Sequence, residues 1–171
     1  MAEIRVVIPG EPVAQGRQRH RIVRTNTGRE FVQNYQPAKS KNWKAVAAWL
    51  MAREMDSRPP FAGPVTLDVV AYFTCPHSQW RKRTPLGRRW HGKRPDFDNV
   101  GKAICDAAKG VLYLDDSQIC DVRMRKIIAA QGEAPRVELT VRELREDELT
   151  KLPGSVDSDL EVGVIRTEKS A

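Results

Sequence analysis

Four aspartates and one lysine between Arg94 and Lys126 have the types and spacing to do chemistry. Asp96 and Asp98 are two residues apart, Asp115 and Asp116 are adjacent, and Lys102 lies between the two clusters. In an extended segment alternate side chains point the same way, so Asp96 and Asp98 can both reach one cation. Asp98 also falls near the start of a predicted helix. There the free N–H groups and the positive dipole end favour a carboxylate and can hold a phosphate nearby. Lys102, four residues on, shares that side of the helix and avoids its apolar stripe. A lysine so placed can contact a scissile phosphate or stabilise charge on a leaving oxygen. Asp115 and Asp116 precede a predicted strand; if that strand pairs near the Asp96 segment, one of them completes the cluster. Acidic clusters in a basic chain are costly unless a cation sits between them. A metal ion and a phosphate substrate supply both missing partners. Ligands that are all oxygen suit magnesium or manganese rather than zinc.

Neighbouring titratable residues serve as controls. Asp106 reads as a surface charge on the helix. Asp121 lies on the polar face of the next predicted strand and takes no assigned role. His91 has no partner motif and reads as a loop residue rather than a metal ligand. Cys75, Cys105 and Cys120 show no paired spacing, and an odd number argues for reduced thiols in a cytosolic protein.

The 171 residues carry 29 Lys and Arg against 22 Asp and Glu, a formal charge of +7. Much of the positive charge lies in residues 17 to 29 and 81 to 94. These segments read as a phosphate-binding surface, with Arg17, Arg19, Arg21, Arg81, Arg83, Arg88, Arg89, Lys93 and Arg94 as the DNA contacts. Trp80 and Trp90, at the two ends of the second segment, read equally as stacking platforms for bases and as loop anchors. The chain shows no signal peptide and no apolar run long enough to span a bilayer.

The elements that must position these groups follow from periodicity. Glu3 to Ile8 reads as a strand, and residues 9 to 36 as a basic loop or hairpin. Lys39 to Met55 reads as a helix capped by Ser40, with Trp43, Val46, Ala47 and Leu50 inward and Trp49 and Met51 off that face. Val65 to Phe73 alternates as a strand. A helix beginning near Asp98 or Asn99 sets Val100, Ala103, Ile104, Ala107 and Val111 on one face, and Gly110 caps it or starts the next turn. Residues 118 to 128 form a strand with Cys120, Val122, Met124 and Ile128 on its apolar side, and Val137, Leu139 and Val141 mark the last strand. The fold class is α/β (α+β): a small mixed sheet flanked by two main helices, in one domain over residues 1–145. Residues 146–171 turn polar without a sustained period and read as a disordered tail.

The segment RPDFDNVGKAICDAAKGVLYLDDSQICD closely resembles the RusA family of Holliday junction resolvases. Those enzymes carry a pattern of the form (R/K)-P-D-x-D-N-x-x-K-A-x-x-D-A-(L/A)-x-G-x-x-x-x-D-D-x-Q-(I/V). The chain meets it at Arg94, Pro95, Asp96, Asp98, Asn99, Lys102, Ala103, Asp106, Ala107, Gly110, Asp115, Asp116 and Gln118. The stretch from Val13 to Arg21 looks like the G-x-x-R segment of the phage-type members. The resemblance runs over residues 3 to 142; Ala108 stands where many members have leucine, and the tail has no counterpart. It implies a dimeric magnesium-dependent endonuclease, with manganese as a substitute, that cuts two opposed strands of a four-way DNA junction. By resemblance Asp96, Asp98 and Asp116 are the metal carboxylates, Asp115 a supporting carboxylate and Lys102 the essential lysine. It implies branched DNA and a second copy as partners, with no membrane and no small-molecule cofactor. It also suggests a bacterial cytoplasm and a phage or prophage origin.

Two further readings stand beside this one: a less selective nuclease of branched or flapped DNA, and a non-catalytic DNA-binding module. The presence of all four aspartates and Lys102 argues against the last. Substrate shape depends on dimer geometry and loop position, which no single-chain motif reports.

Overall fold

The computed structural model describes residues 3–17, 19–35 and 37–151. Seven strands, β1 (Glu3–Pro9), β2 (Arg19–Arg24), β3 (Glu30–Tyr35), β4 (Val65–Phe73), β5 (Arg89–Trp90), β6 (Ile119–Ile128) and β7 (Arg136–Glu143), alternate with helices α1 (Ala38–Met55) and α2 (Phe97–Ala108). The five-stranded sheet has the order β1-β7-β4-β6-β5, while β2 and β3 form a separate hairpin. β4 and β6 are parallel and the other pairs are antiparallel. The expected mixed sheet with two helices is what the chain builds.

The core lies between one face of the sheet and both helices. Ile4, Val6 and Ile8 of β1, Val65, Leu67 and Val69 of β4, and Val137, Leu139 and Val141 of β7 are all buried. Each set follows the two-residue period of a half-buried strand. α2 adds Val100, Ala103, Ile104, Ala107 and Ala108. Gly101 lets α2 lie close on β6: a Cβ there would stand 3.3 Å from Met124 Sδ. The opposite sheet face is lined by charged groups, among them Arg5, Asp68, Asp121, Arg123 and Arg125.

Four details differ from the sequence reading. The buried face of α1 is Ala47, Leu50, Met51 and Met55, whereas Val46 is 52% exposed. The inward stripe is thus rotated, and Met51, expected off it, lies fully inside. α1 starts at Ala38 behind Pro37, and Ser40, expected as the cap, is buried with its Oγ unpartnered. On β6, Cys120 and Val122 were expected inward, yet both are exposed; among the described residues no strand lies beyond them. Finally, Asp106 is not a lone surface charge: Lys44 Nζ stands 3.1 Å from its carboxylate and ties α1 to α2.

The first part of the expected tail, Glu146–Lys151, forms a 3-10 turn, and Glu148 there accepts two hydrogen bonds from Arg142. The remainder, 152–171, lies outside the described residues. No helix among the described residues is long and apolar enough to cross a membrane.

Candidate active site

Asp96 occupies the N-cap of α2 in extended backbone, but its side chain makes no capping hydrogen bond. Asp98 stands in the first turn, and Lys102 follows one turn later; all three are exposed. None of them forms an ion pair or side-chain hydrogen bond with another described residue. A carboxylate at a helix N-cap usually accepts from the first N–H groups. Asp96 instead leaves its oxygens free beside Asp98.

The backbone leading into Asp96 is held from two sides. Lys126 on β6 donates from Nζ to the carbonyl oxygen of Lys93, at 2.7 Å, and to that of Pro95. The loop after β1 docks from the other side, where Gln15 N–H donates to the carbonyl of Asn99 at 2.7 Å. Together these contacts shape an open cleft lined by Gln15, Arg17, Arg94, Asp96 and Asn99. The two basic segments therefore meet at the Asp96 end of α2. Arg19 and Arg21 lie on β2, and their side chains are outside the described residues.

The second carboxylate cluster is built differently. Asp115 caps the short 3-10 turn Asp116–Gln118 by accepting from Ser117 N–H at 3.1 Å. It also pairs with Lys109 at 2.5 Å. The hydrogen bond from Lys109 first, then the Ser117 bond, holds its carboxyl well below the usual range, at about 2. Gln118 completes the capping box: its Oε1 accepts from Leu114 and Asp115, and its Nε2 donates to the carbonyls of Phe61 and Gly63. Asp116, held between these two braces, is exposed and unpaired.

The aspartates from Asp96 to Asp121 thus separate into two kinds. Asp106 and Asp115 are committed to Lys44 and Lys109, and Asp121 accepts from Thr66 Oγ1 at 2.8 Å. Asp96, Asp98 and Asp116 keep their oxygens available. An all-oxygen pair of exposed carboxylates fits a hard divalent cation, which takes one or two carboxylates together with substrate phosphate. Asp96 and Asp98 meet that description. Asp116 does not join them within one chain: among the described residues no three His, Cys, Asp or Glu side chains group closely enough to hold an ion.

The basic loop before β5 is partly occupied with its own structure. Arg88 makes two hydrogen bonds to Glu133, at 2.6 and 3.0 Å, and lies 4.9 Å from the centre of the Tyr72 ring. Arg89 donates to Gln79 Oε1 at 2.8 Å and to Cys75 Sγ at 3.6 Å. The guanidinium groups of Arg81 and Arg83, and the ammonium of Lys93, are exposed and unpaired. Trp80 is an anchor: its Nε1 donates to the Cys75 carbonyl at 3.1 Å, and it stacks on His77. Trp90, 76% exposed, is free.

Lys126 and Gln118 are the residues that the sequence reading left without a role. The signal for Lys126 was present: it is a lone charge among Met124 and Ile128 on the apolar side of an alternating strand.

The sequence matches the endodeoxyribonuclease RusA family over residues 9–142. It is 35% identical over 146 residues to the uncharacterized protein YqaN of Bacillus subtilis (strain 168), covering 82% of this chain and 96% of that protein. The matched span takes in α2, both carboxylate clusters and every strand from β2 to β7, so the chain belongs to the endodeoxyribonuclease RusA family.

Proposed function

We propose that this protein is a magnesium-dependent, structure-specific endonuclease that resolves four-way DNA junctions by paired symmetric cuts, acting as a homodimer. The observation that carries the chemistry is the separation of the aspartates from Asp96 to Asp121 into paired and unpaired ones. The unpaired three, Asp96, Asp98 and Asp116, are those that family resemblance assigns to metal, and Asp115 supports Asp116 through the 3-10 turn.

A bound magnesium ion would supply Lewis acidity at a phosphate oxygen and a more acidic water. The residues of the chain do the rest. Arg17 and Arg94 flank the cleft beside Asp96 and bind the phosphodiester backbone. Lys102, unpaired and one turn below Asp98, donates to a non-bridging oxygen as negative charge grows there. Arg81, Arg83 and Lys93 extend the positive surface along a duplex arm. Cutting two opposed strands of a two-fold symmetric junction requires two sites related by a two-fold axis, which a homodimer provides.

The test is cleavage of a synthetic mobile four-way junction beside linear duplex, flap and fork substrates, with magnesium and with chelator. Symmetric paired cuts in the junction alone, abolished by chelator and by Asp98→Asn while binding persists, are the expected outcome. Equal cleavage of flaps would favour a general branched-DNA nuclease. Full activity of Asp98→Asn would remove the site assignment.

A further inference from the structure

The ribbon formed by β2 and β3 stands apart from the core. It is a two-stranded sheet of its own, in which Ile22 pairs with Val32 and Val23 with Phe31. Among the described residues none from 19 to 35 joins the apolar core. Its turn is nonetheless well made. Gly28, with φ +79°, donates from its N–H to the Thr25 carbonyl at 2.9 Å. Thr25 Oγ1 accepts from the Arg29 N–H at 3.1 Å, and Arg24 pairs with Glu30 at 2.6 Å. A lone two-stranded hairpin is marginal in water unless something covers it.

The ribbon carries apolar side chains on both of its faces. Directly opposite residues share a face, and successive residues alternate. Ile22 and Val32 therefore occupy one face, at 71% and 64% exposure. Val23 and Phe31 occupy the other, where Phe31 is 48% exposed. The sequence around them is cationic: residues 17 to 29 hold five arginines and no acidic residue. The root of the ribbon lies at the cleft, since Arg17 lines it with Asp96 and Asn99. Ile22 follows Arg17 by five residues, no more than about 17 Å of chain.

The charge selects what covers these faces. The ribbon of a second copy would set arginines against arginines, whereas nucleic acid is complementary. In a groove of duplex DNA both apolar pairs would meet phosphates and polar base edges. Between two base pairs each apolar pair would instead lie on a base face, as apolar wedges do where they unstack a step. A β-layer occupies about 10 Å, and stacked base pairs are about 3.4 Å apart. A continuous duplex cannot open that far without breaking pairs. A branch point can, because the strands change partners there and the stack is already interrupted.

Resting on the nuclease reading above, we propose that the β2–β3 ribbon enters the branch point and holds two arms apart. Ile22 and Val32 cover one terminal base pair, and Val23 and Phe31 cover the other. The ribbon thereby selects the shape of the DNA, while the cleft at its root holds the backbone.

The test uses four-way DNA with 2-aminopurine, a base that brightens when unstacked, placed beside the branch point or in mid-arm. Binding is measured in chelator, so that no strand is cut. The full chain should brighten the branch-point probe and leave the mid-arm probe dim. Ile22→Thr, Phe31→Thr and Val32→Thr together keep strand-forming side chains and every arginine. This triple variant should melt as the wild type does and lose the branch-point signal. It should also lose about tenfold or more of its preference for four-way over linear DNA, with the salt slope of duplex binding unchanged. Ile22→Val with Phe31→Trp keeps both faces apolar and should keep the signal. Should the triple variant melt lower, Phe31→Thr alone makes the comparison. A branch-point probe left dim by the wild type, or still bright with the triple variant, would overturn the proposal. So would a triple variant that falls from dimer to monomer in light scattering, because a second copy would then be what covers the ribbon. Unstacking without cleavage in magnesium would sink the nuclease reading and leave the wedge standing; cleavage without unstacking would do the reverse.

Discussion

Lys126 Nζ lies 2.7 Å from the carbonyl oxygen of Lys93 and also donates to that of Pro95, the residue before Asp96. Strand β6 thereby fixes the backbone that presents the first carboxylate. Lys126→Met should keep the fold yet lower cleavage and raise the magnesium needed for half-maximal rate, by about 10- to 100-fold, as when the supports of metal ligands are removed. Lys126→Arg keeps the donors and should recover part of the loss. A magnesium titration of Lys126→Met that overlays the wild type would remove this role.

Gln118 is the corresponding brace for Asp116. Its amide makes four hydrogen bonds, to Leu114, Asp115, Phe61 and Gly63. At about 1 kcal/mol each, Gln118→Ala should destabilise the chain by roughly 2–4 kcal/mol. Gln118→Glu retains the two acceptor contacts but sets a carboxylate oxygen against the carbonyl oxygens of Phe61 and Gly63, so it should destabilise at least as much as alanine. Urea denaturation of the three proteins orders them; equal midpoints would show that the turn holds without the amide.

His91 stacks on Phe73 with centroids 4.4 Å apart, and its Nδ1 is buried without a partner. Burial first, then the Lys126 charge, lowers its pKa below the usual value of 6.5. The unfolded chain, with an ordinary histidine, binds a proton that the folded chain resists. The stability linked to His91 is therefore fully present above about pH 6.5 and is lost as pH drops below it. Asp115 and Glu133, both held near 2, titrate at much lower pH and leave this window to histidine. His91→Gln should lose stacking at every pH but flatten the decline between about pH 6.5 and 5. Melting curves across that range provide the check; an unchanged slope would assign the decline elsewhere.

These three residues also show where sequence reading reached and where it stopped. The strands of the sheet and α2 follow from alternation and from a strong apolar stripe, and both were legible. α1 has no such stripe, and its inward face was misplaced by the choice of Val46 over Met51. β5 is two residues long and exists because Ile127 and Ile128 offer it an edge, which no local pattern announces. The exposure of Val122 has the same origin, since burial of an alternating strand depends on having a neighbour. For the site, spacing named the aspartates and Lys102. It could not sort free from paired, because Lys44 reaches Asp106 across 62 positions. Nor could it connect Lys126 to Pro95, which lies 31 residues away.

The arginines of the second basic segment divide in the same way, with opposite consequences for DNA. Arg88 and Arg89 are occupied by Glu133 and Gln79, whereas Arg81 and Arg83 present free guanidinium groups. Neutralising a phosphate releases counterions, so affinity falls linearly in log salt with a slope of about 0.9 per phosphate neutralised. Arg81→Glu with Arg83→Glu should therefore flatten the slope by about 0.9 for each phosphate no longer neutralised and leave the melting temperature unchanged. Arg88→Glu sets a carboxylate against Glu133, which also braces Arg136 at 2.9 Å and the Ala130 N–H. It should lower the melting temperature and change the salt slope little. Salt titrations of junction binding beside thermal melts separate the two pairs. A flattened slope from Arg88→Glu at unchanged stability would mean that Arg88 leaves Glu133 to bind phosphate.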